Sequence, residues 1–545
     1  MSSKHTIALI VIIALAVFFR FWQFTSIPPG LYQDEAMNGA DALASLNSGE
    51  YKVFYPNNNG REGMIVWLDA LAIKLFGTEP WVLRLFPVIA GVLAVLGLYF
   101  LARELFGAEI ALVSSFFMAT SFWAVNFSRI GFRAGLMVPV LIWSFYFLLR
   151  GFKISETIPS SRVGGTNSSV SEIKALSRFI IAGILFGLGF YTYIPFRFAP
   201  ILALLAFGPI IFKKGAGKNL IGILVFIAVV FLVALPIGLY FLHSPADFFG
   251  RTSQVSLFSQ ASPIKAFIVN TAKTLGIFNI VGDFNWRHNY AGSPELFLPV
   301  GLLFLLGIWL SVKRFAFEDK FLLFWLAIFL LPNILTTEGN PHALRALGAM
   351  PAVMIFSGIG LVWLYKKIQK YFDDKIKNPV LDKYKNQLLR LKKEIFLFLM
   401  VFLFSVAAYN YNQYFNLWAF NSKTLSAFSH DQVEIAKYLN GLPENTKKYV
   451  IWDKNDGATD NGLPVVAQTV YFLTTGNPRL RQGFGGQAEI NYLKSDELNK
   501  IKLGENGAVV APLYFDLGLL HNLNKQFPQS KINFIDVNAA VLIIP

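Results

Sequence analysis

The run VLRLFPVIAGVLAVLGLYFLA, residues 82–102, carries a single charge, Arg84, near its first residue. A helix of about 20 apolar residues spans the roughly 30 Å of bilayer hydrocarbon, so this stretch reads as a membrane crossing. Ten more runs have the same character: 6–24, 109–127, 134–150, 178–194, 197–212, 219–242, 295–312, 320–335, 346–365 and 395–415. The run 63–76 is shorter and holds Asp69 and Lys74, which suits a helix lying in the membrane interface. Composition agrees: of 545 residues, 54% are hydrophobic and 15% charged. Soluble domains average about a quarter charged.

The formal charge is +15, and its placement decides what it means. Eleven crossings put Arg103, Lys153, Arg162, Lys174, Lys213, Lys214, Lys218, Lys313, Arg314, Lys366, Lys367, Lys392 and Lys393 in loops on one side. Cytoplasmic loops collect Lys and Arg, so this side is expected to be cytoplasmic. The charge is then a topology signal, and no nucleic-acid partner is expected. At the N-terminus, Lys4 precedes an apolar run from Thr6 to Phe19 followed by Arg20, Phe21 and Trp22. With no small-residue cleavage site, this reads as a retained first membrane helix.

The opposite side holds the first outer loop 25–81, the 128–133 corner, 243–294, 336–345 and everything past 415. The polar clusters fall there: Gln33-Asp34-Glu35, Ser128-Arg129-Ile130-Gly131-Phe132-Arg133, Gly282 to Asn289, and Thr337 to Arg345. Chemistry is therefore expected on the extracytoplasmic face. Beyond 416, strand-like pieces at 448–452, 507–512 and 532–543 alternate with helical patterns at 431–440, 465–474 and 515–525. That pattern predicts a small α/β domain outside the membrane. Gly483-Phe484-Gly485-Gly486 lacks the Lys of a phosphate loop and reads as a surface loop.

With no Cys, disulfides, thiolate metal sites and Cys nucleophiles are excluded. Six His make a His-rich metal centre unexpected and no cofactor is assigned; Asp283 and His288 could hold a divalent metal, but an Asp and a His this close in sequence are common by chance. Asp34 and Glu35 follow Pro28-Pro29-Gly30, which ends the first helix, and open an amphipathic helix over 34–47. Taken alone they read as acidic residues at a helix N-terminus. As a catalytic pair, one takes the proton of an attacking hydroxyl while the other orients the acceptor or holds a cation.

Arg61, Arg84, Arg129, Arg133, Arg197, Arg287 and Arg345 all lie on the outer side, against the positive-inside trend. Each needs a stabilising partner there: a lipid headgroup, a carboxylate such as Glu62, Glu79 or Glu338, or a phosphate. The guanidinium fork matches phosphate oxygens and stabilises a phosphate leaving group as its charge grows. Arg129, Arg133 and Arg345 are assigned to the donor phosphate, the first two sharing a face if the corner is helical. Asp283, Arg287, His288 and Arg61 are secondary candidates.

The order of these motifs resembles a known family. The pieces are Asp34-Glu35-Ala36, then WLDALAIKLFG at 67–77, Arg84-Leu85-Phe86-Pro87, and YFLARELFG at 99–107. The membrane portion, roughly 6–415, is similar to the GT-C membrane glycosyltransferases: protein O-mannosyltransferases, the lipid A aminoarabinose transferase and lipopolysaccharide galacturonosyltransferases. The resemblance implies inverting transfer from a polyprenyl-phosphate sugar with the first-loop Asp as general base, which falls on Asp34 with Glu35 beside it. The last-loop arginine of such enzymes falls on Arg345. Ala346 stands where relatives often have Tyr, and Arg61-Glu62-Gly63 where they have a His-Pro-Pro-like motif.

The expectation is a membrane all-α bundle of about 11 transmembrane helices of GT-C type, residues 1–415, with an extracytoplasmic α/β domain at 416–545. It would sit in the cell membrane, meet lipid, and transfer sugar to a protein, lipid or glycan hydroxyl. The alternative is a transporter or flippase of polyprenyl-linked glycan or lipid. Such proteins place ionisable groups near the bilayer midplane, where these runs are nearly free of charge.

Overall fold

A computed structural model describes residues 3–157, 166–211, 217–443, 445–459, 461–475 and 490–545. The glycine cluster at 483–486 and the loop cations Arg162, Lys213 and Lys214 lie outside the described residues. The chain divides into two compact units. One holds Met1–Trp22, Pro87–Ser128 and Arg133–Leu417; the other holds Gln23–Phe86, Arg129–Phe132 and Trp418–Pro545.

The first unit is helical, and the described residues of the eleven apolar runs fall mostly on helices, with 109–127 divided between two. Among the described residues, five helices are long and apolar enough to cross a membrane: Ser3–Phe21, Pro80–Phe106, Arg133–Glu156, Asn219–His243 and Leu347–Ile376. A sixth arises if Ala108–Thr120 and Phe122–Arg129, bent by 58°, count as one span. Others fall short; Ala199–Ile211 has 13 residues and Leu298–Arg314 has 17. The count of about 11 crossings is thus higher than length and composition of the helices alone support.

Burial separates central from peripheral helices. The apolar window of Leu347–Ile376 is 89% buried, against 22% for Asn219–His243, whose Leu224, Phe231, Leu232 and Leu242 face outward. Leu298–Arg314 lies against Met350–Ile376 at backbone contact distance. A Cβ at Gly307 would collide with the Phe356 carbonyl oxygen, and one at Gly360 with that of Leu303. Small residues permit such close packing where lipid supplies no hydrophobic drive between helices. Arg20, fully buried at the end of the first helix, donates to the carbonyls of Met118 at 3.2 Å and Ala119 at 3.0 Å. These are last-turn acceptors of Ala108–Thr120, where the helix dipole favours a cation.

The 128–133 corner is not one continuous helix. Phe122–Arg129 ends, residues 130–132 break the helix, and Arg133–Glu156 begins. The expectation that Arg129 and Arg133 share a helical face is therefore corrected. Asn410 Oδ1 accepts the Phe122 N–H at 2.9 Å, satisfying one of the orphan donors at the start of the short helix.

In the second unit, the helices Gln33–Ser48 and Met64–Phe76 pack together, beside a short ribbon of β1 (Phe54–Tyr55) and β2 (Arg61–Glu62). Met64–Phe76 has 13 residues, about 20 Å of helix, too short to span a bilayer. Residues past 447 form a sheet of β3 (Lys447–Trp452), β4 (Ile490–Lys494), β5 (Ala508–Pro512), β6 (Lys531–Asp536) and β7 (Ala539–Ile544). Its order is β4-β3-β5-β7-β6, with β4, β3 and β5 parallel and β7 antiparallel to β5 and β6. Strand alternation sorts the core: Val509, Ala511 and Val541 on one face, Val510, Leu542 and Ile544 on the other. The single strand expected over 532–543 is two, joined at Val537 and Asn538, and β4 had no sequence signal of its own.

Within this unit Gln33–Ser48 packs on Gln468–Thr475, with Gly39 against the Phe472 ring and Thr469 Oγ1 donating to the Leu31 carbonyl at 3.1 Å. Gly30 has φ +69°, and a Cβ there would strike the Phe428 carbonyl oxygen, so this turn requires glycine.

Candidate active site

Two polar clusters stand out, one in each unit. The first is built on the N-terminus of Gln33–Ser48. Adjacent helical residues project about 100° apart, so Asp34 and Glu35 cannot face the same way. Glu35 turns inward and is fully buried. Its Oε2 accepts the Tyr32 N–H at 3.1 Å, and its Oε1 accepts the Gly131 N–H at 2.7 Å. Arg84 closes on both oxygens, Nε to Oε1 at 2.8 Å and Nη2 to Oε2 at 2.9 Å. The same guanidinium donates to the carbonyls of Pro28 at 2.7 Å and Gly30 at 2.8 Å. Glu35 thus holds the turn, the corner and the 3₁₀ helix Pro80–Arg84 together. Both Glu35 oxygens are engaged by these scaffold groups.

Asp34 is half-buried and accepts from Asn58 Nδ2 at 2.8 Å. Asn58 and Asn59 have φ of 53° and 63°, and Gly60 has φ 81°. Asn and Gly adopt this left-handed backbone most readily, which is how the 57–60 turn of the ribbon delivers an amide to the carboxylate.

Arg61 and Arg129 also turn out to be scaffold. Arg61 is buried, pairs with Asp41, and donates to Asn38 Oδ1 at 2.8 Å. Arg129 is fully buried and donates through Nη2 to the Ile27 carbonyl at 2.7 Å. Both guanidinium groups are thus engaged by protein acceptors. Asp69 was not foreseen. It is buried on Met64–Phe76, and neither carboxylate oxygen has a hydrogen-bond partner among the described residues. Burial first, and the Glu35 charge second, hold its carboxyl well above the usual carboxylate range.

The second cluster joins the loop 277–297 to the loop 335–346. Asp283 is buried and central: Oδ1 accepts the Asn285 N–H at 2.8 Å, while Oδ2 accepts the Ala343 N–H at 2.8 Å and meets His288 Nδ1 at 2.9 Å. Arg287 is half-buried and donates from Nε to Asn285 Oδ1 at 3.2 Å; its carbonyl accepts from Asn126 Nδ2 at 2.8 Å. His342, a member of the Thr337 to Arg345 cluster not named as a candidate, stacks obliquely on His288 with ring centroids 4.8 Å apart.

Burial lowers the His288 and His342 imidazoles below their ordinary values; for His342 the His288, Arg345 and Arg287 charges add to this. Burial and then the Asp283 charge push the Glu295 carboxyl well up.

Arg345 donates to Thr336 Oγ1 at 2.9 Å, to the Glu338 carbonyl, and to Glu338 Oε2 at 3.2 Å. Glu338 also takes Arg251 at 2.7 Å, so the two arginines share one carboxylate. Burial lowers the Arg345 guanidinium, opposed by the neighbouring Tyr193 and Glu338. Tyr193 in turn lies under the Arg133 guanidinium, 5.6 Å from its ring centroid. Of the predicted residues, this unit brings together Asp283, Arg287, His288 and Arg345, while Arg133 lies over Tyr193. The other unit brings together Asp34, Glu35 and Arg61.

Comparison with known proteins agrees with this architecture. Residues 63–158 match the family model described as dolichyl-phosphate-mannose-protein mannosyltransferase. No curated protein matches the chain by sequence. Among solved structures, the chain is similar to ArnT from Cupriavidus metallidurans in the apo state, with a TM-score of 0.57 and 13% identity over 100% of this chain and 99% of that one. The same protein bound to undecaprenyl phosphate gives 0.56 and 13% over 98% of each chain. The archaeal oligosaccharyltransferase AglB from Archaeoglobus fulgidus, in complex with an inhibitory peptide and a dolichol-phosphate, gives 0.51 and 15%, covering 83% of this chain and 62% of that one. At these identities the likeness establishes the fold. The chain shares the fold of ArnT and AglB, and several of its helices are long and apolar enough to cross a membrane.

Proposed function

We propose that this protein is a membrane glycosyltransferase that moves a sugar from a polyprenyl-phosphate donor to an acceptor hydroxyl on the extracytoplasmic face. The observation that carries the reading is the division of labour within the Asp-Glu pair. Glu35 is locked to Arg84, while Asp34 stays half-exposed on the same helix turn, steered by one amide. An accessible carboxylate on an immobile backbone is what a general base requires. The match of 63–158 to a mannosyltransferase family and the fold shared with ArnT and AglB support the donor class.

Asp34 takes the proton of the acceptor hydroxyl as its oxygen attacks the anomeric carbon. The bond from that carbon to the phosphate oxygen breaks, and polyprenyl phosphate leaves with the electron pair. Attack opposite the leaving group inverts the anomeric centre. Arg133 and Arg345 hold the phosphate and stabilise its growing charge. About eleven crossings, lysine-rich loops in the cytoplasm, residence in the cell membrane and an outer α/β domain from 416 complete the proposal. The acceptor is a hydroxyl of a protein, lipid or glycan.

The test is a panel of labelled polyprenyl-phosphate sugars presented to the purified chain in proteoliposomes. Sugar appearing on an added acceptor, with the opposite anomeric configuration, is the expected result. Movement of the lipid across the bilayer with no sugar transferred would favour the flippase alternative and overturn the enzyme.

A further inference from the structure

Asp283, His288 and His342 each offer one ligating atom, and the three atoms lie within 4.8 Å of one another. Two come from the loop after Pro263–Gly276 and one from the loop before Met350–Ile376. We propose that these three residues form a site for a divalent transition-metal ion of the zinc type, which fastens the two loops to each other and fixes the backbone that bears Arg345. This is independent of the sugar-transfer reading, whose proposed base is Asp34.

Ligand chemistry is the first support. Two imidazoles and a carboxylate are the donor set that suits Zn²⁺ and its neighbours, whereas Mg²⁺ and Ca²⁺ prefer oxygen. Geometry is the second. Donors bonded at about 2.0–2.1 Å to a tetrahedral ion stand about 3.3 Å apart. Asp283 Oδ2 lies 2.9 Å from His288 Nδ1 and 3.8 Å from His342 Nδ1, which brackets that spacing. Small ring rotations would equalise the two.

The third support is an orphan. His342 Nδ1 is buried, aimed at Asp283 Oδ2, and has no hydrogen-bond partner among the described residues. A buried polar atom left in this state is costly, and a metal bond would satisfy it. Cations nearby weigh against the site, since Arg287 and Arg345 act on His342. Counter-charge is at hand in Asp283 and in Glu338 beside Arg345. On binding, neutral His288 takes the tautomer with its one proton on Nε2, so Nδ1 offers its lone pair to the metal with no net loss of a proton.

The probe is Co²⁺ alone, added to the full chain purified in detergent and stripped with chelator. About one Co²⁺ per chain with visible d–d absorption is expected for the wild type, and His342→Ala should weaken binding at least about tenfold. The chain has no native Cys, so His342→Cys places the only thiol at the site. It should add a thiolate-to-cobalt charge-transfer band in the near ultraviolet. Failure of the wild type to bind an equivalent of Co²⁺ would overturn the site. So would a helical, folded His342→Cys chain that lacks the band, or His342→Ala binding as tightly as wild type. None of these readouts involves sugar transfer, so their failure leaves the proposed enzyme standing.

Discussion

Arg84 and Glu35 form a closed, buried pair 49 residues apart in sequence, with both carboxylate oxygens engaged and both residues almost fully removed from solvent. The pair decides which member of the Asp-Glu dipeptide is free to act. It also predicts how each replacement fails.

Arg84→Ala should cost about 3–5 kcal/mol, because a buried carboxylate is left without its cation. Arg84→Lys should recover part of this, since one ammonium cannot span both oxygens. Thermal unfolding of the detergent-solubilised chain measures both. Equal midpoints for Arg84→Ala and wild type would contradict the pairing.

Asp69 predicts a pH effect with a definite sign. Its folded carboxyl titrates well above the usual carboxylate range because of burial, then Glu35. In the unfolded chain it titrates near 3.9. Protonation therefore favours the fold. Its contribution is complete below the unfolded value and is lost as pH rises through the folded one. Asp69→Asn should raise stability at neutral pH and flatten the profile above pH 4. A loss of stability on this substitution at pH 7 would show that the carboxylate is charged and paired.

Arg345 and Arg129 should separate cleanly. Arg345→Ala is expected to lower kcat by about 10²–10³, the usual effect of removing a donor aimed at developing charge. Arg129→Ala should lower the unfolding midpoint and leave the KM for lipid donor unchanged, because Arg129 holds the Ile27 carbonyl. Steady-state kinetics beside thermal unfolding tell the two apart.

Topology is testable with single cysteines in this Cys-free chain. Exposed Ser48 and Ser259, replaced by Cys, should react with an impermeant maleimide from outside intact cells. Exposed Lys377→Cys and Lys393→Cys should react only after the cells are opened.

The helical membrane unit was legible because a 20-residue apolar run such as 82–102 has few other uses. The sheet past 447 was partly legible. Its buried strands β3 and β5 read as apolar runs, but β4, with the pattern INYLK, shows no period that sets it apart. The site was legible as residue types and not as pairings. Nothing local marks Arg84 as the partner of Glu35, or His342 as the neighbour of Asp283, 59 positions away. Such contacts exist only once distant loops meet. The partners of Arg61 and Arg129 were hidden for the same reason: an outer arginine that caps carbonyls and one that meets a ligand look alike in sequence.

The most direct measurement is turnover of Asp34→Asn with the true lipid-linked donor, alongside its thermal midpoint. Asn keeps the shape and its contact to Asn58 but cannot take a proton. Turnover at least about 10²-fold below wild type, with an unchanged midpoint, is the predicted result. Undiminished turnover would contradict Asp34 as the base and with it the division of labour between Asp34 and Glu35.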